Sequence, residues 1–371
     1  MRSIFSAIAE VLPQRLQMKV NRILIMAGGT GGHVFPALAI AEAFRESGSE
    51  VLWLGTRGRM EEQLVPKYGF PIAYIDVKGV RRNGLLAKLK APFMVTRALF
   101  QSIAIIRKFK PEVVLGMGGY ASGPGGLASR LLGIPVMLHE QNAAAGLTNR
   151  LLFLLAKKVM LGFPGAFTGS KVSVVGNPVR PKIVALHDLE RCFTGDPLRI
   201  LIVGGSLGAR ALNQIVPEAL KLCRGAIRVT HQCGKGNQES VTRLYGNASF
   251  SFTVSDFIDD MTKAYTDADL IICRAGAMTV AEVSCAALPA IFVPLPSAVD
   301  DHQTKNAAFL KDAGAALIAK QSELDSQSLA TLIDELNADR SRLEKMSAAM
   351  RKCAITDAAQ RAVALIEESK E

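Results

Sequence analysis

The 371 residues are enough for two domains of ordinary size, each with its own core. With 49% hydrophobic and 21% charged residues the chain reads as globular, and no apolar stretch reaches the roughly 18 residues that a spanning helix needs. The net charge of +11 is one-sided: residues 1–76 carry 8 basic and 7 acidic groups, residues 77–187 carry 16 and 2, and residues 188–371 carry 20 and 24. The excess of the middle segment implies a polyanionic partner met by the first half of the chain: lipid headgroups, nucleic acid or a pyrophosphate substrate.

Six cysteines without CxxC pairs or histidines at zinc spacing read as reduced thiols. Residues 1–20 mix apolar and charged residues, lack the small-residue cleavage site of a secretory signal, and are expected to form an N-terminal extension. At residues 22–33, RILIMAGGTGGH, an apolar run suited to a buried parallel strand stops at four glycines, a threonine and a histidine. Helical spacing resumes from Pro36, so the junction reads strand, turn, helix, with backbone N–H groups and a helix N-terminus offered to an anion. The spacing does not fit the dinucleotide fingerprint, because Val34 stands at the third glycine position.

Residues 51–55 and 72–77 read as further strands. Residues 78–110 contain nine basic groups and no acid, and Arg81, Arg82, Lys88 and Lys90 alternate with Leu85, Leu86, Leu89 and Phe93. This basic amphipathic region suits an anionic membrane surface. A second glycine-rich strand exit follows at 116–126, GMGGYASGPGG, and a third strand ends in Glu140, Gln141 and Asn142. In open α/β sheets ligands sit at the carboxyl ends of strands, so three such ends with glycine or polar chemistry point to a site. Residues 172–175 close the first sheet, and GNPVRP at 176–181 places a domain boundary at Pro178.

The opening then repeats: RILIVGGSLGA at 199–209 aligns without gaps on RILIMAGGTGG at 22–32, which implies two domains of one architecture. RAGAMTVAE at 274–282 and PLPSAVDDHQTKNA at 294–307 are further strand-to-helix junctions, and residues 341–369 read as a helical tail. Neither Asp259-Asp260 nor Asp300-Asp301 has the setting of a metal-binding pair; adjacent acids at helix starts read as caps.

GGTGGHVFPALA, GMGGYASGPGG, LHEQN, GNPVR, GGSLGAR, RAGAMTVAE and DDHQTKNA, in this order, resemble the MurG family of bacterial N-acetylglucosaminyltransferases over residues 21–365. One departure is Leu207, where many members carry glutamine. The resemblance implies an α/β fold of the GT-B class, two Rossmann-like parallel-sheet domains facing across a cleft. Residues 21–178 would take the acceptor and the membrane, residues 179–354 the UDP-sugar, and the C-terminal helix, 355–371, would pack back on the first domain. It implies an inverting transfer of N-acetylglucosamine from UDP-N-acetylglucosamine to the muramyl 4-hydroxyl of lipid I, giving lipid II, at the cytoplasmic face of the inner membrane. The implied partners include cell-wall synthesis proteins and no nucleic acid.

Such a displacement needs a base and charge stabilisation. His33 fills the first role, with Tyr120 or Glu140 as assistant or substitute. By resemblance, Thr30, Gly31 and Gly32 lie near the reacting sugar and diphosphate. Ser206, its helix dipole and Arg180 take the leaving-group charge, with no metal. Ile258 lies beside the uracil, and Ala277, Met278, Thr279, Val280, Ala281 and Glu282 run along the nucleotide, with Glu282 on the ribose diol. Asn142, His302 and Gln303 bond the sugar. Two other readings stay open: a UDP-sugar transferase or epimerase of the same fold with a soluble acceptor, and a non-catalytic scaffold at the membrane.

Overall fold

Strand β1 (Arg22–Met26) sits inside the first sheet, pairing in parallel with β2 (Glu50–Gly55) on one side and β4 (Val113–Gly116) on the other. Around it β3 (Ile72–Tyr74), β5 (Val136–Glu140), β6 (Lys158–Leu161) and β7 (Val172–Val174) complete the order β3-β2-β1-β4-β5-β6-β7. Helices α1 (Gly31–Glu46), α2 (Met60–Lys67), α3 (Leu85–Phe109), α4 (Ser122–Leu131) and α5 (Leu147–Phe153) connect these strands. Ile23 and Ile25 pack with Val34, Leu38 and Ala41 of α1, while Leu24 and Met26 face Ala98 of α3 and Ala128 of α4. Burial on both faces is why the strand reads as an unbroken apolar run.

The computed structural model describes residues 19–77, 85–205 and 208–370, with the side chains of 85–91 and 299 outside that description. It divides into two units: one runs to Pro178 and resumes at Asp357, the other is Val179–Thr356. In the second unit β8 (Leu198–Val203) holds the position that β1 holds in the first. It lies between β9 (Ile227–Gln232) and β11 (Leu270–Cys273), with β10 (Ser251–Ser255), β12 (Ala290–Phe292) and β13 (Ala316–Ile318) completing the order β10-β9-β8-β11-β12-β13. The repeated sequence is thus a repeated central strand with its glycine turn.

The helices of this unit are α6 (Pro181–Val184), α7 (Arg210–Leu222), α8 (Gln238–Tyr245), α9 (Met261–Asp267), α10 (Ala277–Cys285), α11 (His302–Asp312), α12 (Ser326–Ala338) and α13 (Arg340–Cys353). The chain returns to the first unit as α14 (Ala358–Glu368), whose Ala362, Val363 and Ile366 join the core beneath α1. The helical tail is therefore two helices, broken at residues 354–357 and divided between the units.

Candidate active site

The first glycine turn belongs to α1, which starts at Gly31 and not near Pro36; the Thr30 carbonyl already accepts the N–H of His33 at 3.1 Å and of Val34 at 3.2 Å. The N–H groups of Gly31 and Gly32 accordingly have no intrahelical acceptor and meet whatever approaches the helix end. Two neighbours shape this turn. From α2, the fully buried carboxylate of Glu61 accepts the Gly29 N–H at 3.0 Å and both the N–H and hydroxyl of Thr56, at 3.1 and 2.8 Å. From the β4 exit, Gly119 (φ +84°) presses on the Gly28 carbonyl so closely that a Cβ there would overlap it, and Gly118 (φ +96°) lies against the His33 ring. Both positions need glycine for their backbone angles and for this contact.

His33 reaches Gln141 through Nδ1 at 2.8 Å, and Gln141 in turn contacts Nδ1 of His139 at 3.2 Å. Complete burial pushes His139 down to about 4, so its ring is neutral at ordinary pH. Glu140 is 1% exposed and its carboxylate accepts from the Asn142 N–H and amide (3.1 and 3.3 Å), the Gly146 N–H (3.0 Å) and the Asn149 amide (2.9 Å). Four donors make it the clasp of the 142–149 loop; this is a different task from the proton acceptor considered above. Asn142, expected on the sugar, spends those donors on Glu140. Tyr120 is half exposed, with the Arg59 guanidinium 5.8 Å from its ring centroid. His33, Gly118, Gly119, Tyr120 and Glu140 share a cavity of about 690 Å³ whose remaining wall is mostly apolar: Val95 and Leu99 of α3, Leu127 of α4, Leu147 and Leu151 of α5.

In the second unit Gln232 clamps the other glycine turn in both directions: its Oε1 accepts the Gly205 N–H and its Nε2 donates to the Gly205 carbonyl, each at 3.0 Å. The same Nε2 lies 2.8 Å from the Asp256 carbonyl, two residues before Ile258. Glu282, on α10, is 15% exposed and accepts from Arg180 Nη2 at 3.0 Å and from the Tyr265 hydroxyl at 3.1 Å. Burial raises its pKa, and the pair with Arg180 opposes that rise. The two residues assigned to ribose and to diphosphate are thus bonded to each other. Arg191 holds the support beneath them, donating to the carbonyls of Tyr265 and Ala268 at 2.8 Å and of Ala286 at 2.9 Å.

The other donor-side expectations divide. Ala277, Val280 and Ala281 have buried side chains, and the Val280 N–H is bonded to the Gly276 carbonyl; Met278 and Thr279 are half-buried at the helix start. Ile258 lines a cavity of about 610 Å³ over the outer face of β8, β9 and β10 that Glu282 does not share. Gln303 accepts the Leu295 N–H at 2.9 Å and so shapes the loop before α11, where Asp300 and Asp301 adopt left-handed backbone angles of φ +56° and +52°. His302 is half-buried at the first position of that helix. Asp260 caps α9 through the Lys263 N–H at 3.0 Å; Asp301 stands at the N-cap of α11 without a side-chain cap and instead accepts the Thr304 hydroxyl at 2.7 Å. Among the described residues no three His, Cys, Asp or Glu side chains group as metal ligands. Ser206 and Leu207 lie outside the described residues, as do residues 1–18, Arg81 and Arg82, and the side chains of Leu85, Leu86, Lys88, Leu89 and Lys90.

Both halves match known families: residues 23–161 fit the glycosyltransferase family 28 N-terminal domain and residues 199–362 its C-terminal domain. The UDP-N-acetylglucosamine–N-acetylmuramyl-(pentapeptide) pyrophosphoryl-undecaprenol N-acetylglucosamine transferase of Aeromonas hydrophila is 55% identical over 340 residues, 91% of this chain and 94% of that one. The chain belongs to this transferase family. The member from Tolumonas auensis is also 55% identical, over 92% of this chain and 97% of its own. The crystal structure of Acinetobacter baumannii MurG superposes with a TM-score of 0.82 at 46% identity, covering 94% of this chain and 99% of that one. A UDP-N-acetylglucosamine 2-epimerase from Listeria monocytogenes shares the fold, with a TM-score of 0.69, but only 16% of the sequence. The family's fold, GT-B with a parallel sheet in each unit, is the one described above.

Sequence reasoning passed over Glu61, His139, Gln141 as a partner of His33, Tyr265, Arg191 and Gln232. Each lies at some distance along the chain from what it holds, except the His139–Gln141 pair, whose i, i+2 spacing at a strand exit was the available signal.

Proposed function

We propose that this protein transfers N-acetylglucosamine from UDP-N-acetylglucosamine to the muramyl 4-hydroxyl of lipid I, with inversion, producing lipid II for peptidoglycan synthesis. The observation that carries the reading is the 55% identity over nearly the whole of both chains to an enzyme named for that reaction. The first unit takes the acceptor. Its cavity joins an apolar groove, suited to a polyprenyl chain, to a glycine-lined helix N-terminus, suited to a pyrophosphate or a developing negative charge. His33 accepts the proton of the attacking hydroxyl as the bond to the anomeric carbon forms and UDP leaves. The second unit takes the donor: the Glu282 carboxylate accepts from the ribose diol, and Arg180, released from it, turns to the diphosphate. The protein works at the membrane surface through the basic amphipathic region of the first unit.

The test is incubation with radiolabelled UDP-N-acetylglucosamine and polyprenyl-pyrophosphoryl-muramyl acceptors. Label should enter the lipid fraction; label retained in water-soluble products alone would sink the proposal. Leaving-group charge is met by backbone N–H groups and Arg180, and the adjacent acids are engaged at helix starts. Turnover should therefore persist in excess EDTA, and a loss that magnesium restores would overturn that expectation.

A further inference from the structure

We propose that Gln141 is a positioning residue that fixes His33 in its Nδ1–H tautomer, leaving Nε2 as the atom that takes the acceptor's proton. The inference deepens the reading of His33 as base, and its chain of donors starts elsewhere, at the carbonyl of Gly176. That oxygen only accepts, so His139 Nε2, 2.9 Å away, carries a hydrogen. His139 is fully buried and neutral, so its Nδ1 holds a lone pair and accepts from the Gln141 side-chain amide at 3.2 Å. The same amide nitrogen lies 3.3 Å from the His139 carbonyl. The reverse amide orientation would set Oε1 against a lone pair and a carbonyl at once, so Gln141 has one orientation. Its Oε1 then faces His33 Nδ1 at 2.8 Å, and because that oxygen only accepts, His33 Nδ1 must carry the hydrogen.

The assignment opposes intrinsic preference, since a neutral histidine in water favours the Nε2–H form. Gln141 is 1% exposed and its carbonyl is held by the Asn177 amide at 2.9 Å, so neither water nor backbone drift relaxes the arrangement. Gly118 supports it from the other side, because a Cβ there would sit 3.0 Å from Cε1 and turn the ring. The other titratable groups in this cavity are Tyr120 and Glu140, and the Glu140 carboxylate is engaged by its own loop. A tautomer held against its preference at the lip of an anion-binding turn is an arrangement for proton acceptance at Nε2.

The experiment uses the full chain labelled with ¹⁵N-histidine. Two-bond ¹H–¹⁵N correlation spectra are recorded above the histidine titration range, and His33 is assigned among the five histidines by its loss in His33→Gln. Wild type should show His33 as Nδ1–H. Gln141→Leu should convert it wholly or partly to Nε2–H and lower kcat by about tenfold or more, with the donor KM within about twofold. Gln141→Glu keeps an acceptor opposite His33 Nδ1 but sets its second oxygen where the amide donor stood, so His139 must take a proton at Nδ1; His33 should still show the Nδ1–H tautomer, and the acidic limb of the kcat profile should move upward. An Nε2–H signal from His33 in wild type, or an unchanged tautomer in Gln141→Leu, would overturn the proposal. If Gln141→Leu does not fold, the wild-type tautomer and the Gln141→Glu profile decide it. A confirmed tautomer with a kcat that survives His33→Ala would remove the base reading and leave the positioning intact.

Discussion

A histidine buried as completely as His139 must give up its charge, and that makes the first unit acid-sensitive. Its pKa falls from 6.5 to about 4, so between those values the unfolded chain binds a proton that the native state refuses. Native stability is then complete above pH 6.5 and is lost as the pH falls toward 4, by about 3 kcal/mol for a shift of this size. Thermal unfolding between pH 7 and 4 should show this slope, and His139→Gln should flatten it for the first unit; an unaltered slope would place the sensitivity elsewhere. His231, lowered to about 4 by burial between Tyr245 and Asn213, supplies a parallel loss in the second unit. On the donor side one oxygen of Glu282 accepts from Arg180 and the other from Tyr265, whose hydroxyl still holds the carboxylate when Arg180 turns away. Glu282→Ala should raise the UDP-sugar KM and weaken UDP inhibition with the fold intact. Tyr265→Phe removes one hydrogen bond, about 1 kcal/mol, so the KM should rise by about fivefold. Unchanged UDP affinity in Glu282→Ala would move the ribose site elsewhere.

Elements announced themselves where sequence pattern and burial share a period. β1 and β8 are apolar runs buried on both faces and ended by glycine, and their repetition gave away the two-unit plan. β6 is four residues long and begins at a lysine, and β10 is an edge strand of mixed exposure, so neither run stands out from its surroundings. The start of α1 was misplaced because glycine is a poor helix former, while the first turn of a helix at a ligand site needs room more than propensity. Glu61 was illegible for another reason: in MEEQ it reads as an acid favouring a helix N-terminus, whereas it turns inward to hold Gly29 and Thr56. Removing that carboxylate strands the two buried donors of Thr56 and the half-buried N–H of Gly29. Glu61→Ala should therefore destabilise the protein by about 2–4 kcal/mol and loosen the first glycine turn, with kcat falling alongside Tm. Loss of stability without loss of turnover would show that the turn keeps its shape without Glu61.

Across the whole molecule charge and exposed apolar surface fall in the same part of the chain. Residues 77–187 hold 16 basic groups against two acids, and the exposed apolar side chains include Phe93, Phe100, Leu131, Leu151 and Leu154, all within that stretch. They belong to α3, α4 and α5 or their ends, three helices that pack in series, and Phe93 and Phe100 are two turns apart on one side of α3. No helix among the described residues is long and apolar enough to cross a membrane. The attachment to a membrane surface proposed above would be a sum of two terms. Basic groups near an anionic surface contribute about 1 kcal/mol each and weaken with salt. Buried phenylalanine or leucine side chains contribute about 1.5–3 kcal/mol each and do not. Phe93→Ser, Phe100→Ser and Leu154→Ser combined, none of them lining the acceptor cavity, should reduce sedimentation with anionic vesicles at every salt concentration. Replacing Arg81, Arg82, Lys88 and Lys90 by Ser should instead reduce it mainly at low salt, where wild type binds best. In both variants turnover of a short-chain, water-soluble acceptor should stay within about twofold of wild type. Wild-type sedimentation that is equal on neutral and anionic vesicles, or unchanged in both variants, would show that this charge and this apolar surface serve something other than a membrane.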